Sequence, residues 1–248
     1  MNRAADAKAA PVGFFDSGIG GRCILAAFRK ICPEENLVYI ADSVNCPYGS
    51  RPQEEIIRLC EANVNDLLKR KCKLIVIACN TATAAAIDHL RGKYRDVPFV
   101  GIEPAVKPAA LNSKSAVVAV LATEGTFNGR LYRETVEKFA AGVTVIASVA
   151  DEFVTMVERG ETEGPVAEAA VSRRLEPLLA AGADHIVLGC THFPHLKRTM
   201  EKIVAGRAVI VDPAEAVAMQ AKRVLAAKGL EAGGVRRRGR LIADIARR

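Results

Sequence analysis

Short apolar runs alternate with longer amphipathic stretches along this chain. The stretches repeat apolar residues every three to four positions, as a helix with one buried face does; the clearest spans Gln53–Arg70 and includes Cys60, and another runs from Asp212 to Gly229. Regular alternation of strand and helix predicts an α/β fold with mostly parallel sheets flanked by helices. The predicted strands, apolar enough to be buried on both faces, are Val12–Phe15, Leu37–Ala41, Leu74–Ala78, Phe99–Ile102, Ala116–Ala122, Val143–Ser148, His185–Leu188 and Ala208–Val211.

Two of these runs resemble each other. Leu74–Thr81 reads LIVIACNT and His185–His192 reads HIVLGCTH, so each is an apolar strand that ends at a cysteine followed by small polar residues. A duplicated strand–helix unit would place one thiol at the carboxyl end of a strand in each half of the chain. Open α/β sheets bind their ligands at those ends.

A thiol between a strand and a helix lies near unpaired N–H groups and the positive end of the helix dipole, which lower its pKa. We therefore expect Cys79 and Cys190 to form thiolates near neutral pH. Inversion of a carbon next to a carboxylate needs a base on one face and an acid on the other. The two cysteines predict cofactor-independent inversion of an amino acid at its α-carbon.

The segment after the first strand, FFDSGIGG, leaves a second hypothesis open. Its glycines allow a phosphate or a carboxylate to approach the backbone, and Asp42 lies at the distance typical of a dinucleotide fold. However, Cys23 stands where that fingerprint has its third glycine. Asp16 would repel a phosphate but could hold an ammonium group or direct a thiol's proton, which favours an amino-acid ligand over a nucleotide-binding oxidoreductase.

The histidines near Cys190 raise the question of a metal. Cys190, His192 and His195 could each bind zinc, but no further Cys/His cluster completes four ligands, so no metal is predicted. We interpret His192 as a group that orients and tunes Cys190 or shuttles its proton, and His195 as a surface residue of the following helix.

Composition narrows the cellular setting. The seven cysteines are odd in number and scattered, which indicates reduced thiols. No apolar stretch reaches the roughly 18–20 residues of a membrane span, and the first eleven residues, expected to be a short flexible leader, lack the apolar core of a signal peptide. These features predict a cytoplasmic protein without a membrane partner.

The net charge of +7 is concentrated at one end. Six arginines fall within Arg236–Arg248, which we interpret as a frayed basic tail. A regulator that binds nucleic acid through this tail is a third hypothesis, but a nucleic-acid partner is not expected.

Five segments taken in order, FFDSGIGG, ADSVNCPYGS, IACNTATAAAI, LATEGTFNG and LGCTHFP, closely resemble the glutamate racemase family of the aspartate/glutamate racemase superfamily. The resemblance spans roughly residues 12–225. It implies two pseudo-symmetric α/β domains with the active site in the cleft between them: residues 1–102 plus 213–248 carrying Cys79, and 103–212 carrying Cys190. It further implies interconversion of L- and D-glutamate without metal or pyridoxal phosphate, supply of D-glutamate for peptidoglycan, and a homodimer.

The resemblance also implies roles for individual residues. Cys79 would take the proton from D-glutamate and Cys190 the proton from L-glutamate, with Asp16 and His192 as supporting acid/base groups and Glu158 assisting His192. The implied substrate contacts are Asp16, Ser17, Tyr48, Gly49, Asn80, Thr81, Thr123, Thr126, Thr191 and His192.

Two departures from the family pattern affect these expectations. Ala150–Glu152 reads ADE where many members have Cys-Pro-Leu, which weakens the assignment of Glu158, and the arginine-rich end replaces an apolar finish on which dimerisation could depend. Aspartate is the alternative substrate, since it differs from glutamate by one methylene.

Overall fold

The computed structural model describes residues 3–232 and 238–245. Nine strands lie within these residues: β1 Val12–Asp16, β2 Leu37–Ala41, β3 Leu74–Ile77, β4 Phe99–Val100, β5 Val117–Ala122, β6 Thr144–Val149, β7 His185–Gly189, β8 Val209–Val211 and β9 Leu241–Ile245. The described helices are α1 Arg3–Ala9, α2 Arg22–Ile31, α3 Gln53–Lys69, α4 Asn80–Lys93, α5 Val106–Asn112, α6 Glu124–Phe127, α7 Arg130–Phe139, α8 Glu152–Glu158, α9 Pro165–Ala180, α10 Lys197–Val204 and α11 Ala214–Lys228, with a 3₁₀ turn at Phe193–Leu196.

The chain divides into two compact units. The first combines Met1–Ile102 with Ala214–Arg248, and the second is Glu103–Pro213. The first sheet has the strand order β4-β3-β1-β2-β9 and the second β6-β5-β7-β8, and every pairing is parallel. The predicted α/β class with parallel sheets is thus confirmed.

Both sheets repeat one topology. In the first sheet, the order read from β2 towards β4 is β2-β1-β3-β4. The second sheet has the equivalent order β6-β5-β7-β8, so β3 and β7 are the third strands of their units. The third strand lies directly beside the first, and the connections leave in opposite directions from this position, which is where open α/β sheets bind ligands. Cys79 and Cys190 each follow the third strand of their sheet.

Apolar side chains cover each sheet. In the first unit, α2 and α11 pack on one face, where Phe14 and Phe28 lie 5.4 Å apart between ring centres. In the second unit, Val118, Val120 and Val187 form the centre of a smaller core against α5. Burial on both faces explains why these strands are almost continuously apolar in sequence. No described helix is long and apolar enough to cross a membrane.

Both ends of the described chain depart from the sequence expectations. Residues 3–9 form α1 and not a flexible leader, because its carboxyl end is bonded to the sheet: Asn36 Nδ2 donates to Ala9 O at 2.9 Å. Residues 241–245 form β9 and not a frayed tail. The predicted tail also includes residues 236–237 and 246–248, which lie outside the described residues.

A buried ion pair joins these two ends to the sheet. Lys73 Nζ lies 2.6 Å from Glu35 Oε2, off the direction of a hydrogen bond, and the side chains are 3% and 1% exposed. Lys73 also donates to Lys8 O at 2.5 Å, and Glu35 Oε1 accepts from Ala232 N at 2.7 Å. The pair therefore links α1, the start of β3 and the segment before β9.

We expect Lys73→Met to destabilise the protein by about 3–5 kcal/mol, because it leaves the Glu35 carboxylate buried without its cation. Urea unfolding followed by circular dichroism measures this loss. Lys202→Met is the matched control, since it removes the same group from the exposed pair with Glu168 and should leave the midpoint unchanged. Equal midpoints for both variants would show that the buried pair contributes nothing.

Candidate active site

The first half-site forms where β1 and β3 end side by side. Cys79 caps the amino end of α4, and its sulfur accepts a hydrogen bond from Ala82 N at 3.4 Å. The thiol donates to Ser17 Oγ at 3.6 Å, and Ser17 Oγ donates to Asp16 Oδ1 at 3.5 Å. All three residues are buried. This chain of contacts connects the thiol to a carboxylate through one hydroxyl.

The protonation of Cys79 differs from the sequence expectation. Burial, and secondarily the negative charge of Asp16, raises the pKa of the Cys79 thiol to about 12, although hydrogen bonds from Ala82 and Ser17 act in the opposite direction. The predicted thiolate near neutral pH was therefore wrong for Cys79: desolvation outweighs the helix-terminus effect. The thiol is present in its protonated, proton-donating form.

Asp16 is held by the glycine-rich turn. Its Oδ2 accepts from Gly21 N at 2.7 Å. A Cβ on Gly21 would lie 2.8 Å from Ala78 Cβ and 2.9 Å from Asp16 Cβ, so only glycine fits between β1 and β3 here. The Asp16 carboxylate occupies a donor that a dinucleotide phosphate would use. This arrangement argues against the nucleotide-binding hypothesis.

A polar network that the sequence did not reveal holds the loop after β2. Asp42 Oδ2 accepts from Tyr48 Oη at 2.6 Å, and Asp42 Oδ1 accepts from Asn45 Nδ2 at 2.9 Å. Asn63 Nδ2 donates to Tyr48 Oη at 3.3 Å. Burial is the main cause that raises the pKa of Tyr48, so its hydroxyl remains a donor. Asp42, whose spacing from the glycine-rich segment is typical of a dinucleotide fold, instead fixes the loop that carries Tyr48 and Gly49.

Several buried polar groups of this unit have no partner within the described residues. Both side-chain atoms of Asn80, Oδ1 and Nδ2, are buried without a hydrogen bond. The main-chain N–H groups of Tyr48 and Gly49, both in buried residues, donate to no described acceptor. An unsatisfied buried polar group costs about 1–3 kcal/mol, so the Asn80 amide points to a ligand. Thr81, the other predicted contact here, is buried in the first turn of α4.

The second half-site follows β7. Cys190 Sγ lies 3.8 Å from His192 Nδ1, and His192 Nε2 lies 2.7 Å from Glu158 Oε1. The rings of Phe153 in α8 and Phe193 in the 3₁₀ turn meet edge to face at 5.4 Å, which fixes Glu158 beside His192. Glu158 thus contacts the imidazole despite the unusual sequence before it. A carboxylate, an imidazole and a thiol lie in a row.

Three threonines of the second unit are also buried. Thr123, which follows β5, and Thr126 in α6 are buried with their Oγ1 atoms 3.0 Å apart. Thr191 is buried between Cys190 and His192. His195, expected on the surface of a helix, is partly buried in the 3₁₀ turn, because this turn separates β7 from α10.

Comparison with known proteins identifies relatives of this arrangement. The family model for Asp/Glu/hydantoin racemases matches residues 22–221. A glutamate racemase of Herpetosiphon aurantiacus is 43% identical over 223 residues, 90% of this chain and 87% of the relative. One from Methylococcus capsulatus is 46% identical over 220 residues, 89% of this chain and 81% of the relative.

A solved structure extends the similarity to three dimensions. The crystal structure of glutamate racemase from Francisella tularensis in complex with D-glutamate is similar to this chain with a TM-score of 0.81 and 27% identity, and the match covers 95% of this chain and 88% of that one. The sequence and fold similarities together show that this chain belongs to the glutamate racemase family.

Proposed function

We propose that this chain interconverts L- and D-glutamate by two proton transfers at the α-carbon, one at Cys79 and one at Cys190, without a cofactor. One observation carries the proposal: each thiol follows the third strand of the same topology, and each contacts its own row of polar groups ending in a carboxylate. Racemisation needs an acid and a base on opposite faces of one carbon.

The surroundings of Cys79 support its role as the acid that completes formation of D-glutamate. Its raised pKa, about 12, keeps the proton on sulfur until a carbanion forms. In the reverse direction Cys79 must first lose that proton, and Ser17 Oγ and the Asp16 carboxylate provide a path for it. Asp16 and Ser17 would thus serve as supporting acid/base and contact residues.

The row on the other side supports Cys190 as the base toward L-glutamate. His192 Nδ1 can accept the thiol's proton, and the resulting imidazolium is stabilised by Glu158 on Nε2. An imidazole with a carboxylate behind it is a common way to activate a nucleophilic or basic side chain. Glu158 would act as a positioning residue, since it contacts His192 and not the thiol.

Neutral donors would bind the substrate's carboxylates, and acceptor oxygens such as Asn80 Oδ1 would bind its ammonium group. The unpartnered amide of Asn80 and the N–H groups of Tyr48 and Gly49 belong to the first unit. The hydroxyls of Thr123, Thr126 and Thr191 belong to the second, and Thr81 completes the set. Hydrogen bonds from neutral donors stabilise the charge that develops at the α-carbon without a fixed cation.

The wider role follows from the product. D-Glutamate made by this chain would supply peptidoglycan synthesis. We propose that the protein is a cytoplasmic homodimer. Within each chain, the two compact units, divided near residues 102 and 213, would be the two domains. Aspartate remains the alternative substrate, because one methylene changes affinity by only about 1–3 kcal/mol.

We expect Cys79→Ser and Cys190→Ser each to lower racemisation by at least about 10²-fold, because a hydroxyl is a far weaker base than a thiolate. In D₂O, Cys79→Ser should still exchange the α-proton of L-glutamate without inverting it, and Cys190→Ser that of D-glutamate. Proton NMR and polarimetry, without added metal or pyridoxal phosphate, measure both.

Cys32→Ser, which changes a buried thiol in the C-cap of α2, is the control and should racemise normally. Wild-type rates in both active-site variants would end the two-thiol mechanism. The same assay with aspartate decides between the two substrates.

Alkylation tests the protonation of Cys79. Because its pKa is about 12, the thiolate fraction should rise about tenfold for each pH unit from pH 7 to 10. We therefore expect the iodoacetamide modification rate of the ligand-free protein, followed at the Cys79 peptide by mass spectrometry, to rise in parallel. A plateau below pH 9 would contradict a raised pKa.

Glu158→Gln should lower kcat about tenfold or more, because the His192 imidazolium loses its stabilising charge. Transfers at Cys190 should then limit the rate, so the primary isotope effect with α-deuterated substrate should increase for L-glutamate more than for D-glutamate. Glu161→Gln, an exposed carboxyl three residues later, is the control. A purely structural role of Glu158 predicts equal isotope effects for both enantiomers.

A further inference from the structure

The free edge of the first sheet is unusually apolar. Among residues 3–232 and 238–245, β9 pairs only with β2, so its other side forms the end of the described sheet. Leu241 is 44% exposed and Ile242 is 56% exposed. Natural proteins usually protect such edges, because unpaired N–H and C=O groups beside apolar side chains promote pairing with another strand.

Hydrogen bonds fix which main-chain groups of β9 face outward. Arg240 O accepts from Leu37 N at 2.8 Å, and Arg240 N donates to Asn36 Oδ1 at 2.9 Å, so Arg240 faces β2. Because the direction alternates along a strand, Ile242 and Asp244 face β2 as well. The N–H and C=O groups of Leu241 and Ala243 therefore point away from the sheet.

We propose that a second copy of this chain occupies this edge, with the two β9 strands antiparallel about a twofold axis at Ile242. Leu241 then lies opposite Ala243 of the partner subunit, and the two residues exchange both main-chain hydrogen bonds. Antiparallel pairing joins outward-facing residues only to outward-facing residues, a condition that this register satisfies. A twofold contact repeats each interaction, so four main-chain hydrogen bonds form.

Charge selects this register. With the axis at Ile242, Arg240 lies opposite Asp244 of the partner subunit on the same face of the sheet, and symmetry repeats the pair. Arg70 NH2 donates to Asp244 Oδ2 at 2.7 Å, and within the described residues Arg70 forms no hydrogen bond with the other oxygen, Oδ1. An axis at Ala243, the neighbouring possibility, would place Ile242 opposite the carboxylate. Cross-strand ion pairs contribute about 0.2–1 kcal/mol each, and the axis at Ile242 forms two of them. An axis at Ala243 also joins outward-facing residues but forms neither pair, so the charge variants distinguish the two registers.

The contact gives the homodimer of the proposed function a specific interface, and it rests on that part of the proposal alone. Sedimentation velocity between about 1 and 100 µM tests it. We expect a concentration-dependent dimer, which Ala243→Pro should abolish because proline removes an outward N–H while leaving the bonds to β2. Arg240→Glu should weaken the dimer at least tenfold by placing two carboxylates opposite each other.

Arg240→Glu combined with Asp244→Lys should restore dimerisation, since the pair is then reversed. Arg173→Glu, the same charge change at an exposed position of α9, is the control and should dimerise normally. If Ala243→Pro does not fold by circular dichroism, the charge series decides alone. A monomeric wild type, or wild-type association of Arg240→Glu, would overturn the interface.

Activity separates this inference from the proposed function. A wild type that racemises glutamate but sediments as a monomer contradicts only the interface. A dimer with the expected variant behaviour but without racemisation contradicts only the catalytic proposal.

Discussion

The proton on the Cys79 sulfur is the feature on which the chemistry of the first unit depends. Burial favours the neutral thiol, and the nearby Asp16 carboxylate strengthens this preference. The donors at Ser17 and Ala82 act against it without reversing it. The site thus keeps the proton on sulfur until a strong base such as a carbanion takes it, and in the proposed reaction Ser17 and Asp16 would accept it when the thiol must become a base.

The second unit solves the same problem with different groups. Cys190 occupies the equivalent place after the third strand, but its neighbour is an imidazole supported by Glu158. A duplicated fold therefore carries two unequal half-sites. Such a difference suits the proposed reaction, in which the two thiols start each turnover in opposite protonation states, because it gives each thiol its own proton acceptor.

A buried ion pair and the last strand stabilise the first sheet away from the Cys79 half-site. The buried Lys73–Glu35 pair joins α1 and the segment before β9 to the amino ends of the strands. β9 extends the sheet beyond β2 and presents a new edge. The anchoring of the chain ends and the Cys79 half-site thus lie in different parts of one sheet.

The sequence by itself determined the α/β class, the eight core strands and the two strand-end cysteines, because burial on both faces leaves a continuous apolar run that needs no tertiary information to be recognised. It did not reveal β9, since LIADI is short, half exposed and contains a charge. Only the tertiary structure decided that Asp42 and Asn63 hold Tyr48, that Glu158 contacts His192, and that the pKa of Cys79 is raised. These outcomes depend on desolvation and on contacts between residues far apart in the chain, which local pattern does not encode.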